Sequence, residues 1–558
     1  MKRFFALALG AALAVLGTSL CLAAEPVKGD VTKNGLVEAD DASYTLQYTL
    51  SGENFALDDV QKWAANVNGV EGIDADDAAN ILQKALLSTF EFRDNSPYDN
   101  GGGGEQQVNP YVKPAYEVPV VDTSDGKVVT TFSELKDALA QGGKIYVKGT
   151  IECGEQLKLS GSGADVIGLM NEDGTGACFD FAKLRDARSQ SGSGGTGMVI
   201  SGSNYNFTNI IIQNAGDCGV RLNSSSSANC TFKNCVFRYN NNSGLSVTGG
   251  GHDNKFINCD SYRNGDIVQK SGADADGFSV KLAAGKGNYF YNCRAWENSD
   301  DGWDSYDRGE VIPDVTYIEC LAWHNGNPDT FTGEYDYNNY YPLDKNLIYV
   351  QAILAADPDF EAKYNAHEVE EWPKVTMRLL GTTNTYNNLY SAWGGNPNGF
   401  KFGSAASDNT EYRYIENCIA FDHYGNSYKP VQYRAKGFDQ NCGDTDDDSQ
   451  NGPKLIHYDM KNILSFNNVE NIQMSRMTAD SIQGVVWSFD SCMPPEVDPH
   501  YALGGYADQP SEGMTITEPA NKNELRDKVY AYREMIYGYV YNDMIPGEQL
   551  CEVFPEDK

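Results

Sequence analysis

The chain has 558 residues, enough for several domains and a large core. It carries 78 acidic residues against 43 basic ones, a formal net charge of −35. That balance argues against a nucleic-acid surface, which needs clustered basic groups. An anionic ligand would have to be met through a bound cation.

Met1-Lys2-Arg3, the apolar run Phe4 to Leu22 and Ala23-Ala24-Glu25 read as a secretory signal peptide over residues 1–24. The protein is therefore expected outside the cell. No other apolar run is long enough to span a bilayer. Residues 25–90 hold two related segments. The first runs from Asp30 to Asp41 and the second from Asn66 to Asp77, each followed by a helical stretch. Oxygen-bearing side chains at alternate loop positions converge on one ion. The expected donors are Asp30, Asn34 and Asp41 in the first loop and Asn66, Asn68 and Asp77 in the second. These loops resemble dockerin, the duplicated calcium-loop module that plugs enzymes into cohesin-bearing scaffolds. The resemblance implies calcium in the loops and a cohesin-bearing scaffold as partner. Thr32, Val70 and Glu71 depart from the pattern, and a helical pair without calcium or partner is the alternative.

Residues 91–115 form a linker rich in Gly and Pro, centred on Gly101 to Gly104. Thr131-Phe132-Ser133-Glu134 is a capping box that opens a short helix through Leu139. Such a helix can cover the open end of a stacked β structure. Lys144 to Ile151 is the expected first strand pair.

Two patterns then recur along residues 116–480. A Gly followed by an apolar residue appears at Gly219-Val220, Gly244-Leu245, Gly277-Phe278, Gly302-Trp303, Gly399-Phe400 and Gly437-Phe438. Asn234-Cys235, Asn258-Cys259, Asn292-Cys293, Glu319-Cys320 and Asn417-Cys418 precede members of that series. After the first four, an Asn follows at a spacing of six: Asn240, Asn264, Asn298 and Asn325. The short segments between alternate apolar with polar, as in Lys255-Phe256-Ile257-Asn258, which is strand periodicity. Irregular repeats of this length predict a solenoid. The fold expected is all-β, a parallel β-helix with a small α-helical N-terminal domain. Asn would stack at the turns, and Cys and aliphatics inside. The five Cys read as a core ladder of free thiols, with bridges between coils as the alternative. One coil is interrupted by an insertion over about 327–395, helical around Leu347 to Ala355, which is expected to wall the cleft. Residues 481–558 form a tail with a helical stretch over Glu524 to Tyr537, expected to pack on the last coil.

Placing the coils in register on their Gly stacks Asp276 on Asp301, with Asp300 beside it. Asp304 and Lys401 each follow their Gly by two, so they fall side by side. Four carboxylates on one patch repel one another unless a cation sits among them, and calcium takes oxygen ligands. A lysine beside calcium and partly buried is expected to have a lowered pKa and to act as a base. Lys281 and Lys436 are either contacts for a sugar carboxylate or solvated structural lysines. Trp303 and Phe400 are expected to point inward.

These motifs resemble polysaccharide lyase family 9, the pectate lyases, over about residues 140–470. The matching elements are Asp276-Gly277-Phe278, Asn298 to Asp304, Asn398-Gly399-Phe400-Lys401 and Lys436 to Asn441. The resemblance implies a right-handed parallel β-helix and a monomeric enzyme that cleaves polygalacturonate by β-elimination. Asp276, Asp300, Asp301 and Asp304 would bind the catalytic calcium, and Lys401 would be the base. The run Asn396-Pro397-Asn398-Gly399-Phe400-Lys401-Phe402-Gly403 and the insertion depart from the family pattern, which leaves endo or exo action open. Two other functions compete: a polygalacturonase-type hydrolase, and a non-catalytic galacturonan-binding β-helix.

Overall fold

The computed structural model describes residues 59–67 and 75–86 and scattered positions between 28 and 73 of the N-terminal part. Beyond these it describes 120–171, 176–185, 194–266, 272–306, 314–327, 344–365, 397–403, 412–425, 434–441, 456–492, 504–540 and shorter stretches among them. The chain divides into two units, 1–112 and 113–558. The signal and linker segments lie outside the described residues.

In the first unit, helices Asp59–Ala65 and Ala75–Leu86 are described. Val31, Ala42, Leu57, Ala64, Ala65, Val67 and Ile81 form a small core. Asp41 is buried, and the Asn66 amide donates to the Lys62 carbonyl at 3.1 Å. Asp30, Asn34, Asn68 and the side chain of Asp77 lie outside the described residues.

In the second unit, short strands repeat as coils with three faces. The first face stacks nine strands in parallel, from Leu157–Leu159 to Glu470–Gln473. Its inward column is Val220, Leu245, Phe278, Trp303, Phe400 and Phe438, in that register. This is the series marked by Gly in the sequence, and it extends further, to Met198 before and Ile472 after. Trp303 and Phe400 are buried and stack with centroids 4.6 Å apart, as inward residues should. The second and third faces are joined at a single left-handed residue, which is Asn at positions 209, 234, 258, 292, 417 and 462. Asn tolerates that conformation better than most side chains.

Glycine in the series is a matter of space between coils. A Cβ on Gly302 would sit 2.6 Å from the Gly399 carbonyl oxygen, and one on Gly399 would sit 2.6 Å from that of Gly437. Both contacts are with backbone of the next coil, so a side chain would force the coils apart. Cys235, Cys259, Cys293, Cys320 and Cys418 are buried free thiols, as the ladder reading expects.

The Asn series at the turn before the first face forms a chain of amides. Asn240, Asn264 and Asn298 each donate from Nδ2 to Oδ1 of the next member, ending on Asn325, at 2.9 Å every time. Each such bond contributes about 1 kcal/mol net. The chain continues through His423, six residues after Asn417. Asn325 Nδ2 lies 3.3 Å from His423 Nε2, and His423 Nδ1 lies 2.7 Å from Asn468 Oδ1. Both contacts are satisfied when Nδ1 carries the proton and Nε2 accepts, which is the neutral imidazole.

The N-terminal end is covered by helix Phe132–Gln141, opened by the expected capping box between Thr131 and Glu134. A strand not anticipated from the sequence, Lys127–Val129, precedes it and pairs with Lys144–Lys148. Coil pairing also continues past 480: strand Met477–Phe489 pairs with Ile456–Phe466, and parallel bridges reach Tyr506, Gln509 and Thr517.

The insertion and tail differ from expectation. Helices Ile348–Ala356 and Phe360–Asn365 do not wall a cleft on the first face. Leu347, Val350, Ile353, Phe360 and Tyr364 join an outer cluster with Tyr262, Trp296 and Trp323 on the third face. An ion pair between Arg263 and Asp344 pins this contact. The tail helix Lys522–Val540 continues that cover through Leu525, Val529, Tyr532 and Ile536. It is tied to turns of several coils, by Arg533 to Asp422 at 2.9 Å and Arg526 to Asp490 at 3.1 Å, and not to the last coil alone. The cause is an aromatic stripe that would otherwise face water: Tyr262, Trp296, Trp323, Phe421 and Phe466 stack outward on consecutive coils and are buried by this cover.

Burial holds the His423 pKa down to about 3. The unfolded chain takes up a proton near pH 6.5 and the folded chain does not, so stability is lost as pH falls from about 6.5 towards 3. His423→Asn should restore an amide link and remove that component. Urea unfolding at pH 7 and 4.5 should show the wild type losing about 2–3 kcal/mol more than the variant between the two pH values.

Candidate active site and cation centre

The site lies on the outward side of the first face, where three coils from distant parts of the sequence meet. Strands Phe278–Val280, Trp303–Asp304 and Asn398–Lys401 pair so that Ser279, Asp304 and Lys401 are consecutive neighbours. Lys401 Nζ is 2.8 Å from Asp301 Oδ2 and 3.4 Å from Asp304 Oδ1. The Gly register predicted that adjacency. Asp276 and Asp301 also stack: the Gly277 amide donates to the Asp301 carbonyl at 2.9 Å, and the Asp301 amide to Asp276 Oδ1 at 3.4 Å. One oxygen each from Asp276, Asp301 and Asp304 can be chosen so that all lie within 4.8 Å of one another, and all three residues are buried. Asp300 is buried next to Asp301 and stands outside that trio.

Several partners hold the carboxylates. Ser243 Oγ donates to Asp276 Oδ2 at 3.1 Å. Asn398 donates to Asp301 Oδ1 from Nδ2 at 2.7 Å and from its backbone at 3.1 Å. The Tyr306 amide donates to Asp304 Oδ1 at 2.8 Å, and the half-exposed Tyr306 ring lies 5.6 Å from Lys401 Nζ.

Lys281, expected as a sugar-carboxylate contact or a solvated structural lysine, is buried inside the cluster. Its Nζ bridges Asp276 Oδ2 at 2.7 Å and Asp304 Oδ2 at 2.8 Å. Lys281 follows Ser279 by two, so it points to the same side of the strand and reaches back over the cluster. Lys436 is one coil beyond Lys401 and pairs with Asp439 at 3.0 Å.

Two influences act in opposite directions on the Lys401 pKa. Burial disfavours the ammonium, but Asp301 and Asp304 more than offset it, so the pKa lies well above the usual lysine value. Burial pushes Asp276 up to about 6 and Asp301 well above the carboxylate range. Burial also acts against the Asp304 carboxylate, but Lys281 and Lys401 overcome it and hold its pKa at about 2.

The donor set fits a hard divalent cation. The side-chain donors of the trio are all oxygen. The three buried carboxylates of the trio face the two ammoniums of Lys281 and Lys401. The upward shifts of Asp276 and Asp301 come first from burial, with the neighbouring carboxylates adding to them.

Cation binding requires ionised ligands, so removing one carboxylate charge should weaken it. Asp304→Asn keeps the shape and should reduce calcium affinity by about 10-fold or more, read by titration calorimetry. Asp165→Asn, on the exposed second face, should leave it unchanged.

Residues 111–338 match the family model described as Pel9A-like, right handed beta helix region. Pectate lyase L of Dickeya chrysanthemi is 42% identical over 131 residues, which cover 23% of this chain and 29% of that protein. Pectate lyase L of Paenibacillus polymyxa is 29% identical over 301 residues, covering 50% of this chain and 61% of that protein. The aligned part thus spans less than two thirds of either relative. Among solved structures, the crystal structure of pectate lyase Pel9A aligns with a TM-score of 0.44 at 24% identity, covering 69% of this chain and 73% of that one. Residues 111–338 are thus similar to the Pel9A-like right-handed β-helix regions, in line with the family 9 pectate lyase motifs that the sequence resembles.

Proposed function

We propose that the protein is a secreted, calcium-dependent pectate lyase that cleaves polygalacturonate by β-elimination, with Lys401 as the Brønsted base. The observation that carries this reading is the placement of the Lys401 ammonium 2.8 Å from Asp301, inside a buried group of carboxylates whose donor set suits calcium. Its similarity to Pectate lyase L from two organisms supports the substrate.

Asp276, Asp301 and Asp304, with Asp300 beside them, would hold the ion. Calcium, when bound, pairs with the substrate carboxylate and stabilises the negative charge that develops on the adjacent carbon. Asn398 and Ser243 orient Asp301 and Asp276 through the bonds given above. Lys401 then has a proton-accepting task. As a neutral amine its Nζ takes the proton from the carbon next to the carboxylate. The C–H electron pair forms the new C=C bond, and the glycosidic C–O bond breaks towards the leaving sugar, whose oxygen takes up a proton. No water adds to the chain, which separates this reaction from hydrolysis. Lys401 would reach the neutral form where its carboxylate neighbours are committed to a cation, because burial disfavours its ammonium.

The apolar run after Met1 supports export. The loops Asp30 to Asp41 and Asn66 to Asp77 support a dockerin-like module that would bind calcium and a cohesin-bearing scaffold.

Lys401→Ala should lower the rate of unsaturated-product formation from polygalacturonate by about 10³-fold or more, while calorimetry still shows calcium binding. A variant that keeps full activity would remove Lys401 from the mechanism. If it loses calcium binding as well, Lys401 holds the site together and its role as base is unsupported.

A further inference from the structure

The outward column of the first face continues beyond the cluster. In register it runs Arg221, Ser246, Ser279, Asp304, Lys401 and Asp439. Arg221 is three coils from Asp304, about 14 Å at the spacing of neighbouring strands. The two positions between are serines, and Asp274, 3.9 Å from Lys281 Nζ, also acts on the Arg221 guanidinium.

Arg221 is held in place. Its Nη2 is 3.1 Å from Asp217 Oδ2 and donates to Cys218 Sγ at 3.1 Å. Asp217 is buried, and Thr196 Oγ1 donates to the same carboxylate oxygen at 2.9 Å. Arg221 Nε is buried without a hydrogen-bond partner, and the side chain keeps 21% of its surface exposed. A guanidinium fixed on one side by a buried carboxylate, with donors left over, is suited to a second planar anion. The other end of the column shows the same device: Lys436 on buried Asp439, and Arg434 beside buried Glu470 at 3.7 Å. Basic side chains anchored by buried acids thus stand on both sides of the cluster.

We propose that Arg221 is a remote subsite for a carboxylate of the same polyuronate chain, which lies along the stacking direction of the coils and extends past the cluster on both sides. This rests on the reading of the site as one that takes polygalacturonate. It adds a direction for the polymer and a preference for internal positions in long chains. A disaccharide bound at the cluster does not reach Arg221.

The test uses the full chain carrying Lys401→Ala, so that ligand is bound and not consumed, with hexagalacturonate and digalacturonate as probes in the presence of calcium. Adding Arg221→Gln should weaken hexamer binding by about tenfold and dimer binding by less than twofold. Arg221→Lys, which keeps the charge and loses the fork, should fall between. Equal weakening of both probes, or no weakening of the hexamer, overturns the subsite. If Arg221→Gln does not fold, Arg221→Lys alone decides, because a purely structural arginine predicts no dependence on probe length. If the Lys401→Ala parent still binds calcium but neither probe, the polygalacturonate reading fails and the subsite with it. A loss of length dependence confined to the Arg221 variants would leave that reading standing.

Discussion

Everything in this molecule depends on the register between one coil and the next. A shift of one residue in a parallel pair turns every side chain to the other face. Here it would send Asp304 and Lys401 inward and Trp303 and Phe400 outward. The register is fixed from three directions. Glycine carries no Cβ where the next carbonyl oxygen comes within about 3 Å, as at Gly302 and Gly399. Asn side chains hand hydrogen bonds from turn to turn. The aromatic column Phe278, Trp303, Phe400 and Phe438 fills the interior in step. None of these groups touches the proposed reaction centre, yet together they bring Asp276, Asp301, Asp304 and Lys401 together across 125 residues of sequence.

The same register explains why the site is electrostatically unusual. Ordinary folding separates buried carboxylates or neutralises them. Here the stacking rule puts like charges on adjacent coils, and the outcome is a compromise: Lys281 and Lys401 stabilise Asp304, while Asp276 and Asp301 remain strained towards protonation. Such a site costs stability, and a divalent cation among the carboxylates would relieve it. The two lysines then differ in their surroundings. Lys281 bridges two carboxylates at short distance, whereas Lys401 bonds one closely and approaches a second. Lys401 also has the half-exposed Tyr306 ring beside it.

Much of this was legible in the sequence because a solenoid turns spacing into contact. Counting from each Gly was enough to place Asp304 against Lys401 and Asp276 over Asp301. The same count, carried two residues further, would have placed Lys281 over the cluster. His423 carried a signal too: it follows Asn417 by six, the spacing of the Asn series, but breaks the residue type. The outer cover was harder to read. Tyr262, Trp296, Trp323 and Phe421 each follow a ladder Cys by three, so a stripe was present in the sequence. What lies over such a stripe is decided by chain segments far away, and neither the insertion nor the tail has a periodicity that names its partner.

The most direct test of the account is to give the protein polygalacturonate with calcium, then with a chelator, and to follow absorbance of unsaturated ends together with new reducing ends. The account predicts that both rise in step and that both stop when the chelator is added. Reducing ends that appear without the absorbance would mean that water attacks the bond, and absorbance that keeps rising in the chelator would mean that the carboxylate group is not a calcium-dependent elimination site.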